Sequence, residues 1–474
     1  MSEQSSSNYP SRYDLIVIGA GSAGFSAAIT AAEEGARVAL IGYGTIGGTC
    51  VNVGCVPSKT MIRAAETLHG ARAASRFQGI TGEAHISDWS ALIADKDELV
   101  TTLRNKKYID LLSAYEAIDY IEGAARITDD GVIVGDRSIN VDKTIIATGS
   151  SISVPQIPGI DETPYLTSTT ALELQQLPKS LIVVGGGYIG CELAQMFARA
   201  GTKVTMVTRS RLIPEAEPEI SAALSEYFDA EGIVVRCGLK YVSAEKSGEG
   251  VYLTISVDGQ QETLNAERLL LTTGRNANTG SLGLEEVGIE TLPNGGIVVD
   301  ERMRTSKPGV YAAGDVTGRD QFVYMAAYGA KLAAKNALNS NSHVYENATM
   351  PWVVFSDPQV AGVGLNERQA QEAGFNVKTS IAPLAQVPRA LAARDTRGLI
   401  KLVADADSDR LLGAQILAPE GADSIQTIVL ALKYNMTAKE LGETIFPYLT
   451  TVEGLKLAAQ GFGKDVTMLS CCAG

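Results

Sequence analysis

Six cysteines are spread over 474 residues, and their spacing says more than their number. Cys50 and Cys55 lie in GGTCVNVGCVPSK, separated by four residues, with helical character expected from near Pro57. A helix N-terminus favours thiolate over thiol, so this placement suits reactive sulfur. Three readings fit such a pair: a redox-active disulfide, two metal ligands, or inert buried thiols. A zinc site would want a second pair at ligand spacing, and no histidine lies nearer than His69. The redox pair is the reading we carry forward. The chain ends KDVTMLSCCAG, with Cys471 and Cys472 adjacent. Vicinal thiols at an end are open to oxidation and are poorly placed for an idle role. Soft thiolates select soft metals, and Hg(II) prefers two sulfurs in line. The two end thiols are therefore expected to capture a thiophilic ion and pass it on by ligand exchange. The plainer alternative is a frayed end that happens to hold two thiols. Cys191 and Cys237 are expected to be buried structural thiols.

Sulfur redox chemistry needs an electron supply, and two segments provide the framework for one. DLIVIGAGSAGFSAAITAAEEGARVALI reads as strand, glycine turn, Ala-rich helix and strand. Gly19, Gly21 and Gly24 have the GxGxxG spacing, in which a tight turn lets backbone approach a pyrophosphate and lets helix pack on strand. The helix start offers unpaired N–H groups to the phosphates. An acid expected about 20 residues past the glycines for a ribose is missing, because the second strand ends in Gly42. The ribose must be held some other way.

The pattern repeats in KSLIVVGGGYIGCELAQMFARAGTKVTMVTRSRLIP, with Gly185, Gly187 and Gly190. At the offset of Gly42 this unit has Thr208, followed by Arg209 and Arg211. Two guanidiniums with no acid suit a 2′-phosphate, so NADPH is favoured over NADH, the alternative being two solvated arginines. Two such units imply two dinucleotides.

The motif around Cys50 and Cys55 resembles the active-site sequence of the class I pyridine nucleotide–disulfide oxidoreductases, and the similarity runs from Tyr13 onward. The resemblance implies FAD in the first unit, with Cys50 as interchange thiol and Cys55 as the thiolate facing flavin. It implies that Lys59 sits near the flavin and pairs with Glu192, and that Tyr188 gates the nicotinamide pocket. The fragment RTSKPGVYAAGDVTG resembles the second FAD motif of two-dinucleotide flavoproteins, in which Asp315 would bond the ribityl chain. Gly48, Thr49, Gly149, Gly274 and Arg275 complete the expected cofactor contacts.

Members of this family that act on disulfides carry a His–Glu pair near the C-terminus, contributed by the opposite subunit. In FPYLTTVEGLKLAAQ, Glu453 keeps its place but Tyr448 stands where the histidine would be. The only histidines are His69, His85 and His343. A phenol with a pKa of about 10 is a poor proton shuttle at neutral pH. The mercury-reducing branch of the family has tyrosine at this place, and its C-terminus resembles this tail. The expectation is therefore reduction of Hg(II) to Hg(0), with Cys50, Cys55, Cys471 and Cys472 as the metal-handling thiols. The alternatives are a disulfide reductase with an unusual base and a flavoprotein that sequesters metal without turnover.

The expected fold is α/β: two Rossmann-like dinucleotide-binding domains and a C-terminal α+β dimerisation domain. Boundaries are placed at 1–10 for a disordered tail, 11–160 and 281–348 for FAD, 161–280 for NAD(P), and 349–474 for dimerisation with the Cys-Cys tail. The partners expected are a second copy of the chain, forming a homodimer with active sites at the interface, and small mercury–thiol complexes. A net charge of −14 argues against nucleic acid, which calls for basic patches. MSEQSSSNYPSR lacks the layout of a signal peptide, and glycines break the uncharged run from Leu15 to Ala32, so a cytoplasmic protein off the membrane is expected. No CxxC occurs, which leaves mercury to arrive at the tail directly.

Overall fold

The computed structural model describes residues 12–248 and 250–468. Cys471 and Cys472 lie outside the described residues. The chain divides into two compact units.

The first unit comprises the chain up to Ser58, Ala91–Ser153 and Gly274–Glu346. Its centre is a five-stranded parallel sheet in the order Val310–Ala312, Thr144–Ile146, Leu15–Ile18, Val38–Gly42 and Ile118–Glu122. Leu15–Ile18 and Val38–Gly42 are buried along their whole length. That is why they read as unbroken apolar runs, as strands covered on both faces do. Helices Ser22–Glu33 and Val323–Leu338 pack against each other. Both are rich in alanine and glycine, which allows close approach. A three-stranded antiparallel sheet, Ala125–Ile127, Gly131–Val134 and Arg137–Asn140, shares an apolar core with the main sheet.

The second unit comprises Lys59–Ser90, Val154–Thr273 and the chain from Asn347. It contains a four-stranded parallel sheet in the order Val234–Arg236, Lys203–Val207, Ser180–Val184 and Arg268–Leu271. A three-stranded antiparallel sheet over 240–266 joins that core. C-terminal to these, five antiparallel strands run in the order Trp352–Val354, Gln359–Gly364, Leu411–Ala418, Leu399–Asp405 and Val377–Pro383. Helices Gly421–Lys433 and Glu453–Gln460 pack on this sheet over a separate core.

Two buried charge clusters tie the nucleotide stretch of this unit to its C-terminal sheet. Lys401 Nζ reaches Glu217 at 3.2 Å, Glu219 at 3.0 Å and Glu367 at 2.7 Å. Burial works against the ammonium, but the carboxylates outweigh it and raise its pKa. In the other cluster, Arg199 forks onto Glu231 with two hydrogen bonds of 2.7 Å and meets Asp357 at 2.9 Å. Arg397 bridges Asp357 and Asp395. Paired in this way, the charges offset the cost of leaving water, and either partner left alone would be costly.

Among the described residues, no helix is long and apolar enough to cross a membrane.

Candidate functional site

In the first unit, Gly21 caps helix Ser22–Glu33 without a side-chain hydrogen bond, and no acid stands in the first turn. The leading N–H groups are thus left for an anion. The glycines are required sterically. A β-carbon on Gly19, whose φ is +118°, would lie 2.2 Å from the carbonyl oxygen of Ala147, and one on Gly24 would lie 1.7 Å from that of Gly19. Gly48 is pressed against the same turn, where its β-carbon would sit 2.7 Å from Gly21 Cα. Gly149 and Gly274 hold φ of +72° and +104° with open space where side chains would be. Between them, Ser150 Oγ donates to Asp315 Oδ2 at 2.7 Å and accepts from Arg275 Nε at 2.7 Å. Burial lowers the Arg275 pKa, opposed by Asp315 and Cys55. Asp315 follows Gly314 on a one-turn helix. An uncapped helix start, a glycine cradle and a fixed carboxylate suit a dinucleotide carrying a polyol chain, so the residues present fit FAD.

Cys50 lies in the short helix Gly48–Asn52, which also holds Thr49, and Cys55 is the first residue of helix Cys55–Arg72. The long helix thus starts two residues earlier than expected, and Cys50 is helical as well. The loop between them is braced by Asn52, whose amide donates to the carbonyls of Ile46 and Gly48 at 2.9 Å each. Arg104 in turn donates to Asn52 Oδ1. Both cysteines are half-buried. Burial raises the Tyr108 pKa, with both cysteines adding to the shift, and burial with Asp320 and Cys55 does the same for Tyr324. The two phenols therefore stay neutral next to the thiols. The sequence reading did not single them out. Among the described residues, no group of three or more His, Cys, Asp or Glu is arranged to hold a metal ion.

In the second unit, Gly187 caps helix Tyr188–Ala200, again without a side-chain cap or a first-turn acid. Gly185 and Gly190 are closed by backbone, with β-carbons at 2.5 Å from the Thr272 carbonyl oxygen and 2.2 Å from that of Gly185. Gly187 faces open space. This suits a second pyrophosphate. Thr208 follows strand Lys203–Val207 and is buried. Arg209 and Arg211 are exposed, but they differ. Arg211 donates to the carbonyls of Pro214 and Ala216 and so closes its own loop.

Lys59, one turn into the helix that Cys55 opens, lies 2.7 Å from Glu192 Oε2. The other oxygen of Glu192 accepts the Phe355 N–H at 3.0 Å, and the ammonium lies 4.9 Å from the Phe355 ring centre. Tyr188 stacks on Trp352. Trp352 is seated over Gly362, where a β-carbon would come within 2.4 Å of the indole. Phe355 and Trp352 belong to MPWVVFSDPQV, and no local motif flags them.

Tyr448 is 54 % exposed on a turn that buried Glu453 braces by accepting the Leu449 N–H at 3.1 Å. Leu449 takes a left-handed φ of 61° there. Ile445, at 94 % exposure, stands on the same segment. Cys191 is buried, which pushes its thiol pKa well up. Cys237 is exposed, contrary to expectation. It sits just past strand Val234–Arg236, an edge strand with one neighbour, where burial is not guaranteed.

Residues 13–334 match the pyridine nucleotide–disulphide oxidoreductase family and residues 350–459 match its dimerisation domain. The chain belongs to this family, whose members work with FAD and NAD(P)H. It is 46 % identical to the mercuric reductase of Staphylococcus aureus over 98 % of this chain and 84 % of that protein. Identity is also 46 % to the mercuric reductase of Streptomyces lividans, covering 98 % of both chains. Among solved structures, the Cu(II) complex of the HOCl-induced flavoprotein disulfide reductase RclA from Escherichia coli superposes with a TM-score of 0.84 at 32 % identity. It covers 95 % of this chain and 99 % of that one.

Proposed function

We propose that this protein is a mercuric reductase that uses NADPH and FAD to reduce Hg(II) to Hg(0) and works as a homodimer. The observation that carries the reading is Tyr448, set half-exposed on the turn braced by Glu453, where disulfide-reducing relatives need a histidine. His69 stands against the Arg199–Glu231 cluster instead, and burial lowers its pKa. A dithiol site with no neutral-pH acid beside it is ill-suited to protonating a leaving thiol and well suited to a substrate that needs none.

NADPH + Hg(II) → NADP⁺ + Hg(0) + H⁺ balances as a two-electron transfer. FAD bound at the first glycine turn would carry the hydride's two electrons onward, once to open the Cys50–Cys55 disulfide and then, in each turnover, to the Hg(II) that the two thiolates hold. The protein's own residues do the rest. Cys50 and Cys55 hold the metal as a bis-thiolate. Lys59, fixed by Glu192, would supply a positive charge to bound flavin. Tyr188 opens and closes access for nicotinamide. Cys471 and Cys472 of one subunit collect Hg(II) and transfer it to Cys50 and Cys55 of the other, with Tyr448 lining the passage. The apolar surface at Ile445, Tyr448 and Leu449 supports an interface at that segment. Strong similarity to mercuric reductases over nearly the whole chain supports the substrate.

The test is anaerobic NADPH oxidation with Hg(II), oxidised glutathione and lipoamide offered separately, with mercury vapour collected. Vapour in proportion to NADPH is expected. Fast turnover on either disulfide and none on Hg(II) would replace this reading with a disulfide reductase.

A further inference from the structure

The first nucleotide unit has a gap that the fold itself points to a way of filling. Strand Val38–Gly42 lies next to Leu15–Ile18, which feeds the glycine turn, and its last residue is where an acid would meet the adenosine ribose. Gly42 leaves no side chain there, and the space has closed. A β-carbon on Gly42 would lie 2.6 Å from Ala20 Cβ and 3.4 Å from the Tyr120 ring. An acid cannot simply be restored at this position without moving the glycine turn.

The next strand outward ends in one. Gly42 pairs in register with Glu122, the last residue of Ile118–Glu122, in a parallel ladder. Register partners in a parallel sheet project to the same face, and residues two apart do so as well. Glu122 therefore shares a face with Tyr120 and with the β-position of Gly42, which is the face of Ala20 and the glycine turn. The Gly123 N–H donates to the Gly42 carbonyl at 2.8 Å, which holds the strand end in place. Glu122 is exposed. Neighbouring strands are about 4.8 Å apart, a distance a glutamate side chain can largely span back toward the missing acid's position.

We propose that Glu122, from the neighbouring strand, replaces the absent acid at Gly42 and accepts hydrogen bonds from the adenosine ribose hydroxyls of FAD. This rests on the flavin reading of the first unit and is independent of mercury as substrate. Glu122 is a cofactor-positioning residue and takes no part in the chemistry.

The test is FAD binding to flavin-stripped protein, followed by flavin fluorescence, with circular dichroism to verify folding. Glu122→Gln should weaken binding by about tenfold or more, the loss expected for a charge-assisted hydrogen bond. An FAD analogue with 2′-deoxyadenosine should bind the unaltered protein more weakly, and Glu122→Gln should cost it little further. Gly42→Glu with Ala20→Gly, introduced into the Glu122→Gln protein, should recover much of the affinity by rebuilding the acid on the inner strand. Unchanged FAD affinity in folded Glu122→Gln protein would overturn the proposal. So would equal losses for FAD and its deoxy analogue, which would place the effect away from the ribose. Unaltered protein that fails to bind FAD at all would instead overturn the flavin reading.

Discussion

Tyr188 and Trp352 stack with ring centres 5.7 Å apart and planes 15° from parallel, across 164 positions of sequence. If Tyr188 must leave this stack to admit nicotinamide, the stack opposes NADPH binding. An aromatic pair is worth about 0.5–1.5 kcal/mol, so its loss should lower the KM for NADPH by about two- to tenfold in Trp352→Ala. The protein has two tryptophans, so Trp352 emission can be followed against that of buried Trp89. NADP⁺ should change Trp352 emission in the unaltered protein and not in Tyr188→Leu. An identical response in both would mean that the tyrosine does not move.

Arg209 and Arg211 should not be equivalent. Arg211 spends its guanidinium on the Pro214 and Ala216 carbonyls, so Arg211→Ala should loosen that loop and affect both nucleotides. Arg209→Ala should raise the KM for NADPH by about tenfold and scarcely alter that for NADH, as expected for one lost phosphate contact. Equal use of both nucleotides by the unaltered enzyme would remove the 2′-phosphate from the argument.

The end thiols should matter for delivery rather than for electron transfer. Cys471→Ala with Cys472→Ala should cut kcat/KM on thiol-complexed Hg(II) by about a hundredfold, roughly 2.7 kcal/mol, and should affect small mercury halides far less. A heterodimer with Cys50 and Cys55 removed from one chain and Cys471 and Cys472 from the other keeps one composite site. On thiol-complexed Hg(II) it should turn over well above either parent homodimer. An inactive heterodimer would assign the tail to its own subunit.

Acid stability should depend on Arg397. Burial raises the pKa of Asp395, but hydrogen bonds from Arg397 outweigh it, leaving the carboxyl below its ordinary value. A lowered folded pKa gives stability that is present above the unfolded value, about 3.9, and is lost as pH falls through the folded one. Tm should therefore hold from neutral pH to near that value and then fall. In Arg397→Gln the neutral-pH Tm should be lower and the fall on acidification smaller, so that the two curves converge at low pH. Superimposable acid limbs would show that this pair contributes nothing to the pH dependence.

What the sequence made legible was local. The glycine triplets and the strand ending at Gly42 are each set by neighbours within a few positions, so pattern and structure coincide there. Contacts decided by the tertiary fold were opaque. Trp352 reaches Tyr188, and the Phe355 N–H reaches Glu192, only because a C-terminal strand returns to the nucleotide helix. Ser150 becomes the link between Arg275 and Asp315 only once three distant segments meet. Cys237 was misjudged because strand character implies burial only when the strand is covered.

The two buried charge clusters also bear on how fast the protein can exchange its nucleotide. Lys401 with its three glutamates, and Arg199 and Arg397 with theirs, fasten the nucleotide-binding stretch to the C-terminal sheet on which Trp352 stands. Swinging one against the other would strip several buried charges of their partners at once. Domain hinges move on roughly microsecond to millisecond timescales, whereas side chains that are not locked in a core rotate in roughly picoseconds to nanoseconds. With the slow coordinate pinned, the Tyr188 ring proposed to gate nicotinamide is the fast coordinate that remains, and on that proposal its rotation, not a hinge, should set the pace of nucleotide entry.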